Sequence, residues 1–274
     1  DFGNRLLNNV VTDYYFYGIY MYCQDSMQVN GNEVIQSRPN ISADAIYLND
    51  VANFECIGNE ALEASDYGLW ISDANFLGFS SGTGIVANNM ISSTGDRGFY
   101  ADDFENVNVY HNTFVGTVGG YINDVRGADF QNNIFYGTDD YALQSLDAPA
   151  SMIQTMFDYN ISHIAPGAIA LVRAGPTNYN TVGDFQFNGY NNASLQGDPG
   201  FLSPFDDLHI VGVLPYDAGN PTLGIMTDID GDPRPLPPST GVDIGADEFV
   251  VTTLDAEPVA FISPTLPAAA GNAA

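Results

Sequence analysis

The peptide GIYMYCQD at Gly18–Asp25 recurs in varied form six more times along this chain. The later copies are AIYLND at Ala45–Asp50, GLWISD at Gly68–Asp73, GFYADD at Gly98–Asp103, GGYIND at Gly119–Asp124, ALQSLD at Ala142–Asp147 and AIALVR at Ala168–Arg173. Most copies open with a small residue and then alternate apolar residues with residues of another kind. This alternation is typical of a β-strand that buries one face and turns the other outward.

Three positions of the repeat predict the direction of its side chains. The position after the opening residue is mostly apolar and is predicted to face the core: Ile19, Ile46, Leu69, Phe99, Gly120, Leu143 and Ile169. The next position is predicted to point outward, and its first five copies are aromatic: Tyr20, Tyr47, Trp70, Tyr100 and Tyr121. A third position is acidic in five copies, between Cys23 in the first and Arg173 in the last: Asp50, Asp73, Asp103, Asp124 and Asp147.

An asparagine precedes each strand, and successive copies are 21 to 30 residues apart: Asn9, Asn32, Asn59, Asn89, Asn112, Asn133 and Asn160. A period of this length indicates a solenoid or another repeat array. The apolar spacing of two, with Gly, Asn and Asp in every unit, excludes helical repeats. We therefore predict an all-β parallel β-helix of about seven coils, with equivalent strands stacked about 4.8 Å apart. Asparagine suits the bend because it tolerates a left-handed backbone and can hydrogen-bond to its equivalents in neighbouring coils.

The pattern G-I-Y-L-x-D-x-x-N…N-x-φ resembles the right-handed β-helix repeats of the pectate-lyase-like superfamily, especially its carbohydrate-binding and sugar-hydrolase repeats. The resemblance extends from Leu6 to Arg173. It implies a right-handed coil. It says less about activity, because the superfamily includes lyases, hydrolases, epimerases and adhesins.

The composition changes near Gly175, which predicts coils over residues 1–175, a capping region over 176–250 and a linker or following domain over 251–274. A cap is expected because an open coil end exposes strand edges and apolar core. The later stretches, from DPGF to GVDIGADEF, resemble the tails of secreted Bacteroidota surface proteins and type IX secretion cargo. That resemblance implies an extracellular or cell-surface location, with secretion machinery or other domains of the same chain as partners.

The charge of the chain limits its partners. Aspartate and glutamate total 34 against 6 Lys+Arg, which gives a formal net charge of −28. Such a surface repels nucleic acid, anionic lipid and uronic-acid polymers unless divalent cations intervene. No apolar run is long enough for membrane insertion. Cys23 and Cys56 are predicted to be buried free thiols, with a disulfide as the alternative.

The acidic position of the repeat has three interpretations. Carboxylates about 5 Å apart repel one another by roughly 3 kcal/mol at an effective dielectric constant near 20, so something must offset the repulsion. The side chains could accept backbone N–H bonds in Asx-turns, or act in glycoside hydrolysis with Asp102, Asp103 and Asp124 as candidate catalytic residues. The third interpretation is Ca2+ binding along the column: Asp50, Asp73, Asp103, Asp124 and Asp147.

A second Ca2+ candidate is the stretch DIDGD, in which Asp228, Asp230 and Asp232 surround a glycine. The stretch lacks the distal glutamate of a calcium loop. The alternative is a structural lock that joins Arg234 to the closing acidic residues Asp243, Asp247 and Glu248.

Lyase chemistry fits this sequence poorly. The base in such folds is typically Lys, Arg or His, but the chain has no lysine, and His111, His163 and His209 fall outside the aromatic and acidic positions. If the protein is an enzyme, a polysaccharide hydrolase is therefore favoured over a lyase.

The aromatic position is the most informative about function. Five rings in line span about 19 Å, and Asn49, Asp102 and Asn123 lie beside them on the same strands. Rings for stacking next to hydroxyl acceptors suit a polysaccharide or cell-surface glycan. The alternative is that the rings support one another or lie beneath the insertion near Phe76–Gly84.

We therefore predict an extracellular module of a larger protein that adheres to or binds carbohydrate. Two other classes remain open: a polysaccharide-degrading enzyme, and a non-binding stalk or cargo segment.

Overall fold

The computed structural model describes residues 1–36, 38, 42–75, 82–152, 154–186 and 192–251. Parallel strands stack into a β-solenoid of about 6 turns, which confirms the predicted all-β parallel β-helix. The predicted linker lies outside the described residues except for Val251, and so does most of the insertion predicted after Asn75.

The strands follow one another closely along the chain. In order they are β1 Arg5–Leu7, β2 Val10–Thr12, β3 Tyr17–Asp25, β4 Gln28–Asn30, β5 Glu33–Ile35, β6 Asp44–Ala52, β7 Glu55–Ile57, β8 Glu60–Ala64, β9 Leu69–Ala74, β10 Gly84–Ala87, β11 Met90–Ser93, β12 Arg97–Glu105, β13 Val107–Tyr110, β14 Thr113–Arg126, β15 Asp129–Gln131, β16 Ile134–Ser145, β17 Met156–Asp158, β18 Ile161–Ile164, β19 Ala170–Ala174, β20 Thr177–Tyr179, β21 Leu195–Gln196, β22 Phe201–Ser203 and β23 Asp207–Ile210. A 3-10 turn at Pro149–Ser151 and the short helix α1 at Val182–Gln186 complete the described elements.

Each coil contributes one strand to each of three faces. The first sheet is β1-β4-β7-β10-β13-β15-β17. The second face follows β2, β5, β8 and β11 into the first parts of β14 and β16, then β18 and β21. The third face, called here the third sheet, follows β3, β6, β9 and β12 into the later parts of β14 and β16, then β19. The strands β14 and β16 run through the bend between the second and third faces.

The register of the third sheet matches the predicted repeat in its first six copies. Tyr20 pairs with Tyr47, and the same position continues through Trp70, Tyr100, Tyr121 and Gln144. The core-facing residues on either side are buried, among them Leu69 and Phe99.

The predicted register of the seventh copy is wrong by three residues. Leu143 pairs with Val172, and Gln144 pairs with Arg173, so the arginine occupies the aromatic position and not the acidic one. A turn around Gly167 delays the strand and leaves Ile169 exposed, although it was predicted to face the core.

The core is filled by apolar side chains that stack from coil to coil. Phe114 packs on Phe135 with 5.6 Å between ring centroids, and Phe130 packs on Phe157 at 4.6 Å. Parallel strands in register repeat every ~4.8 Å, so identical residue types meet face to face. The small residue that opens the repeat also has a steric cause: a Cβ on Gly68 would lie 2.4 Å from Cγ2 of Ile91, where the coil turns its corner.

The predicted asparagine ladder is present and buried through most of its length. Each side-chain amide donates from Nδ2 to Oδ1 of the next asparagine, at 2.8–3.0 Å from Asn9 to Asn160. The left-handed backbone belongs to the preceding residue and not to the ladder asparagine, which corrects the sequence argument. Those residues have positive φ angles and are Asn8, Gly31, Gly58, Asn88, His111, Asn132 and Tyr159.

The region after Gly175 covers the coils in two ways. The hairpin of β19 and β20 leads into α1, whose Val182 and Phe185 join the main core at the last coil. The later tail instead lies along the second face. There Leu208 packs with Leu62, Met90, Val115 and Ala246, so most of the predicted capping region covers a side of the solenoid and not its end.

Both cysteines are free. Cys56 is buried, as predicted, and burial raises the pKa of its thiol to about 12. Cys23 was also predicted to be buried but is exposed, at a left-handed bend two residues before the end of its strand. Over the described part of the chain, no helix combines the length and apolar character needed to cross a membrane.

Candidate aromatic and acidic site

The five predicted aromatic residues form a continuous stack on the outer face of the third sheet. Ring centroids are 5.1 Å apart between Tyr20 and Tyr47, 4.0 Å between Tyr47 and Trp70, and 5.4 Å between Trp70 and Tyr100. These three contacts are parallel stacks, whereas Tyr100 meets Tyr121 edge to face at 5.1 Å. Strand spacing produces this arrangement, because in-register rings are held at stacking distance.

Exposure varies strongly along the aromatic stack. Tyr20 is 46% exposed, whereas Tyr47 and Tyr121 are only 7% and 9% exposed, and Trp70 and Tyr100 are half-buried. Both faces of Trp70 are covered by its stacking partners, and its buried Nε1 has no hydrogen-bond partner among the described residues. The middle of the stack therefore presents ring edges, and its rings support one another.

Two further tyrosines lie against the exposed end of the stack, at the first coil. Tyr17 stacks on Tyr20 with a centroid distance of 5.0 Å, and Tyr22 lies 6.4 Å from Tyr20 in a parallel orientation. Both are exposed, Tyr22 to 56%. Alternation does not predict the direction of Tyr17, because it precedes the bend at Gly18 that begins the repeat.

Arg97 closes the opposite end of the stack. Its guanidinium carbon lies 3.9 Å from the ring centroid of Tyr121, 4.5 Å from that of Tyr100 and 5.1 Å from that of Tyr67. Cation–π attraction of this kind is worth about 0.5–2 kcal/mol, more when the pair is desolvated. Arg97 and Tyr67 stand one residue before the opening glycines Gly98 and Gly68, a position that the sequence argument left out.

The predicted polar row runs beside the stack in register. Asn49 and Asp102 both pair with Ser72, and Asp102 pairs with Asn123 on its other side. Asn49 donates to the hydroxyl of Tyr47, and Asn123 donates to Oδ1 of Asp102 at 2.6 Å. The row is thus fixed by its own hydrogen bonds and keeps polar atoms next to the ring edges.

Most of the acidic column occupies a bend near the end of a strand of the third sheet. Cys23 and the next four members have left-handed backbones, with φ between 45° and 54°: Asp50, Asp73, Asp103 and Asp124. Aspartate tolerates this conformation better than most residues, so backbone geometry accounts for the column. Asp147 does not share the positive φ.

Neighbours of the acidic column offset only part of its charge. The thiol of Cys23 donates to Asp50 at 2.9 Å, and Arg126 pairs with Asp124 at 2.8 Å. Burial, followed by the carboxylates of Asp102, Asp73 and Asp124, raises the pKa of Asp103 to about 6. The three candidate catalytic aspartates therefore interact. Among the described residues, however, the acidic column does not bring three ligand atoms within 4.8 Å of one another.

A family model for the right-handed beta helix region matches residues 1–139, which is half of the chain. The chain belongs to the right-handed β-helix family. No curated protein matches this β-helix chain. The matched region contains the whole aromatic stack and ends within β16, so the tail lies outside it.

In the tail of this β-helix protein, the DIDGD loop is organised by one of its aspartates. Asp228 is buried and accepts backbone N–H bonds from Asp230, Asp232 and Glu248 at 2.8–3.0 Å. Its oxygens therefore shape the loop, and the structure does not gather Asp228, Asp230 and Asp232 around one point.

The predicted lock is built mainly on one buried ion pair. Arg234 contacts Glu248 at 2.6 Å and donates to the carbonyl of Gly245 at 2.9 Å, with the arginine and glutamate side chains almost fully buried. Asp243 and Asp247 contribute separately, because their carboxylates accept backbone N–H bonds from Phe249 and Ile210.

Proposed function

We propose that this β-helix protein binds carbohydrate through the exposed end of its aromatic stack. The observation that carries the proposal is the exposed group of Tyr17, Tyr20 and Tyr22. Tyr17 and Tyr22 both stack on Tyr20, which in turn stacks on Tyr47. Rigid, partly exposed rings can pack against the C–H faces of sugars, and their hydroxyl groups can hydrogen-bond to sugar hydroxyls.

The rest of the stack has a supporting part in this proposal. The faces of Trp70 are occupied, so a glycan that extends along the third sheet meets ring edges and the polar row of Asn49, Asp102 and Asn123. We therefore expect the tyrosine end to supply most of the affinity and the polar row to supply selectivity.

The charge of the chain narrows the ligand class. With a net charge of −28, the surface disfavours anionic polymers, so the glycan we propose is neutral or bridged by Ca2+. The same proposal places the protein outside the cell, as a module that follows or precedes other domains and is handled by secretion machinery. Outside the cell, the ligand would be a cell-surface glycan or a secreted polysaccharide.

The test is calorimetric titration of the full chain with neutral oligosaccharides of increasing length. Tyr20→Ala and Tyr22→Ala should each weaken binding by about 1–2 kcal/mol, as expected for exposed aromatic anchors. The control Leu202→Ala removes an exposed apolar side chain from the tail and should leave binding unchanged. Trp70→Ala should mainly lower Tm, because the ring is inside the stack. Equal affinity of parent, Tyr20→Ala and Tyr22→Ala would reject the proposal.

A second candidate, glycoside hydrolysis, is supported by the interacting aspartates at the edge of the same face. A carboxyl whose pKa is raised to about 6, beside other carboxylates, is a pattern found at catalytic sites. Release of reducing ends by the parent chain, abolished in Asp103→Asn, would favour this enzyme. Carbohydrate binding without release of reducing ends would support a binding module and not an enzyme.

A further inference from the structure

Three side chains from separate segments meet where the tail crosses the second face. His209 lies in β23, Asp230 in the DIDGD loop, and Asp247 in the GVDIGADEF stretch. One possible ligand atom from each lies within 4.8 Å of the other two. Among the described residues, this is the one such group formed by His, Cys, Asp and Glu.

The imidazole of His209 is oriented as a metal-binding histidine would be. Nδ1 lies 2.7 Å from Oδ1 of Asp207, and Nε2 lies 3.1 Å from Oδ2 of Asp230. A neutral imidazole has only one N–H, so it cannot donate to both carboxylates. If Nδ1 donates to Asp207, the lone pair of Nε2 is directed at Asp230, and a cation between them would satisfy both. A carboxylate behind a ligating histidine is the usual supporting contact in metal sites.

His209 is surrounded by more carboxylates than a single positive charge on its imidazole could balance. Asp247 is buried and already oriented by the N–H of Ile210, which donates to Oδ2 at 2.7 Å. Glu60, from β8, also interacts electrostatically with Asp207, His209 and Asp230. One proton on the imidazole cannot balance these carboxylates, whereas a divalent cation adds two charges at the point where they converge.

We propose that His209, Asp230 and Asp247 bind a divalent transition-metal ion of the Zn2+ type, with Asp207 as the positioning residue. Calcium prefers six to eight oxygen ligands, whereas a nitrogen with two carboxylates suits zinc. The site is separate from the proposed glycan surface, and it shares only Asp230 with the DIDGD calcium site expected from sequence. It joins β23, the DIDGD loop and the end of the tail, and it thereby ties three segments of the tail to one another where they lie against the second face.

The experiment is calorimetric titration of the metal-free full chain with Zn2+, with Ca2+ and Mg2+ as comparison ions. We expect one Zn2+ per chain, a higher Tm with Zn2+, and no comparable effect of the other two. His209→Asn and Asp230→Asn should weaken Zn2+ binding by about tenfold or more, and Asp207→Asn by about tenfold. The matched control is Asp232→Asn, an equal charge change at an exposed residue of the same loop.

Histidine-selective NMR keeps the test independent of how the variants fold. Of the three histidines in the chain, only His209 should show a shifted Nε2 resonance when Zn2+ is added to the parent protein. An unchanged His209 signal would overturn the proposal. So would absent Zn2+ binding, or an equal loss of affinity in Asp232→Asn and Asp230→Asn, which would indicate a diffuse attraction to an acidic surface.

Discussion

At the scale of single residues, the acidic column shows how backbone conformation and charge can oppose each other. Asp103 satisfies a left-handed bend, with φ of 49°, but its carboxyl faces three other carboxylates. The folded-state pKa of about 6 lies above the ordinary value of 3.8. The ionised side chain therefore destabilises the fold. This penalty is absent below pH 4, grows as pH rises through 6 and is complete above it.

Replacement of Asp103 by asparagine should separate the two effects. Asn tolerates the same backbone without the charge, so Asp103→Asn should match the parent Tm at pH 4 and exceed it by about 2 °C at pH 8. The gain is small because the side chain is partly exposed and solvent screens the repulsion. Asp103→Ala, which removes the charge but suits the bend less well, should be less stable than Asp103→Asn. Parallel pH profiles of parent and Asp103→Asn in thermal denaturation would contradict this account.

At the scale of structural elements, the asparagine ladder joins coils that are otherwise held by strand pairing and core packing. Asn112 donates to Oδ1 of Asn133 and to the carbonyl of Val86, both at 2.9 Å, and accepts from Nδ2 of Asn89 at 2.8 Å. Its surroundings are fully buried, so any group left without its partner pays the cost of desolvation.

Removal of one rung should therefore be costly. Asn112→Ala should lower the free energy of unfolding by about 3 kcal/mol, since it leaves buried amide and carbonyl groups unpaired. Asn108→Ala on the neighbouring strand provides the control, because Asn108 is exposed. The measurement is denaturant unfolding followed by circular dichroism. If the two variants are equally stable, the ladder contributes little.

The sequence predicts the elements of the coil better than their ends. Spacing of two and repeated Asn, Gly and Asp are enough to place Leu69 inside and to align Tyr20 with Tyr47, because strand alternation is local. The shift of the seventh copy, in which Leu143 pairs with Val172, depends on the length of a turn. Strand alternation does not encode that length. The inward or outward direction of Tyr17 likewise depends on a corner of the coil.

At the scale of the whole molecule, most of the tail lies along the side of the solenoid and does not cover its end. It runs along the second face and is held there by apolar contacts and by the buried Arg234, which pairs with Glu248 within the tail and donates to Oδ1 of Asn88 on the coils. Local sequence patterns do not specify which surface such a segment meets. For the same reason the meeting of His209 with Asp230 and Asp247 could not be predicted. A lock between Arg234 and the closing acidic residues was predicted from sequence, but not which of them would form the ion pair.

Breaking the buried pair should loosen the tail before it affects the coils. Arg234→Met leaves Glu248 buried without its partner, a change that typically costs about 3–5 kcal/mol. Hydrogen exchange should accelerate in β23 and remain slow in β14. The double variant Arg234→Met/Glu248→Gln should recover part of the loss.

The control for the buried ion pair is an exposed one, formed by Arg126. Arg126→Met breaks the exposed contacts with Asp124 and Glu105 and should cost less than about 1 kcal/mol. Faster exchange throughout the solenoid in Arg234→Met would show that tail and coils unfold as one unit, against the prediction.

The asparagine ladder also gives the solenoid a direction. Every amide from Asn9 to Asn133 donates to the asparagine of the following coil, and every one from Asn32 to Asn160 accepts from the preceding coil, so these bonds all run in one direction. A further coil could join this row only in the same orientation, because a reversed coil would place one amide oxygen against another. The direction of the chain is thus repeated in a buried row of side chains.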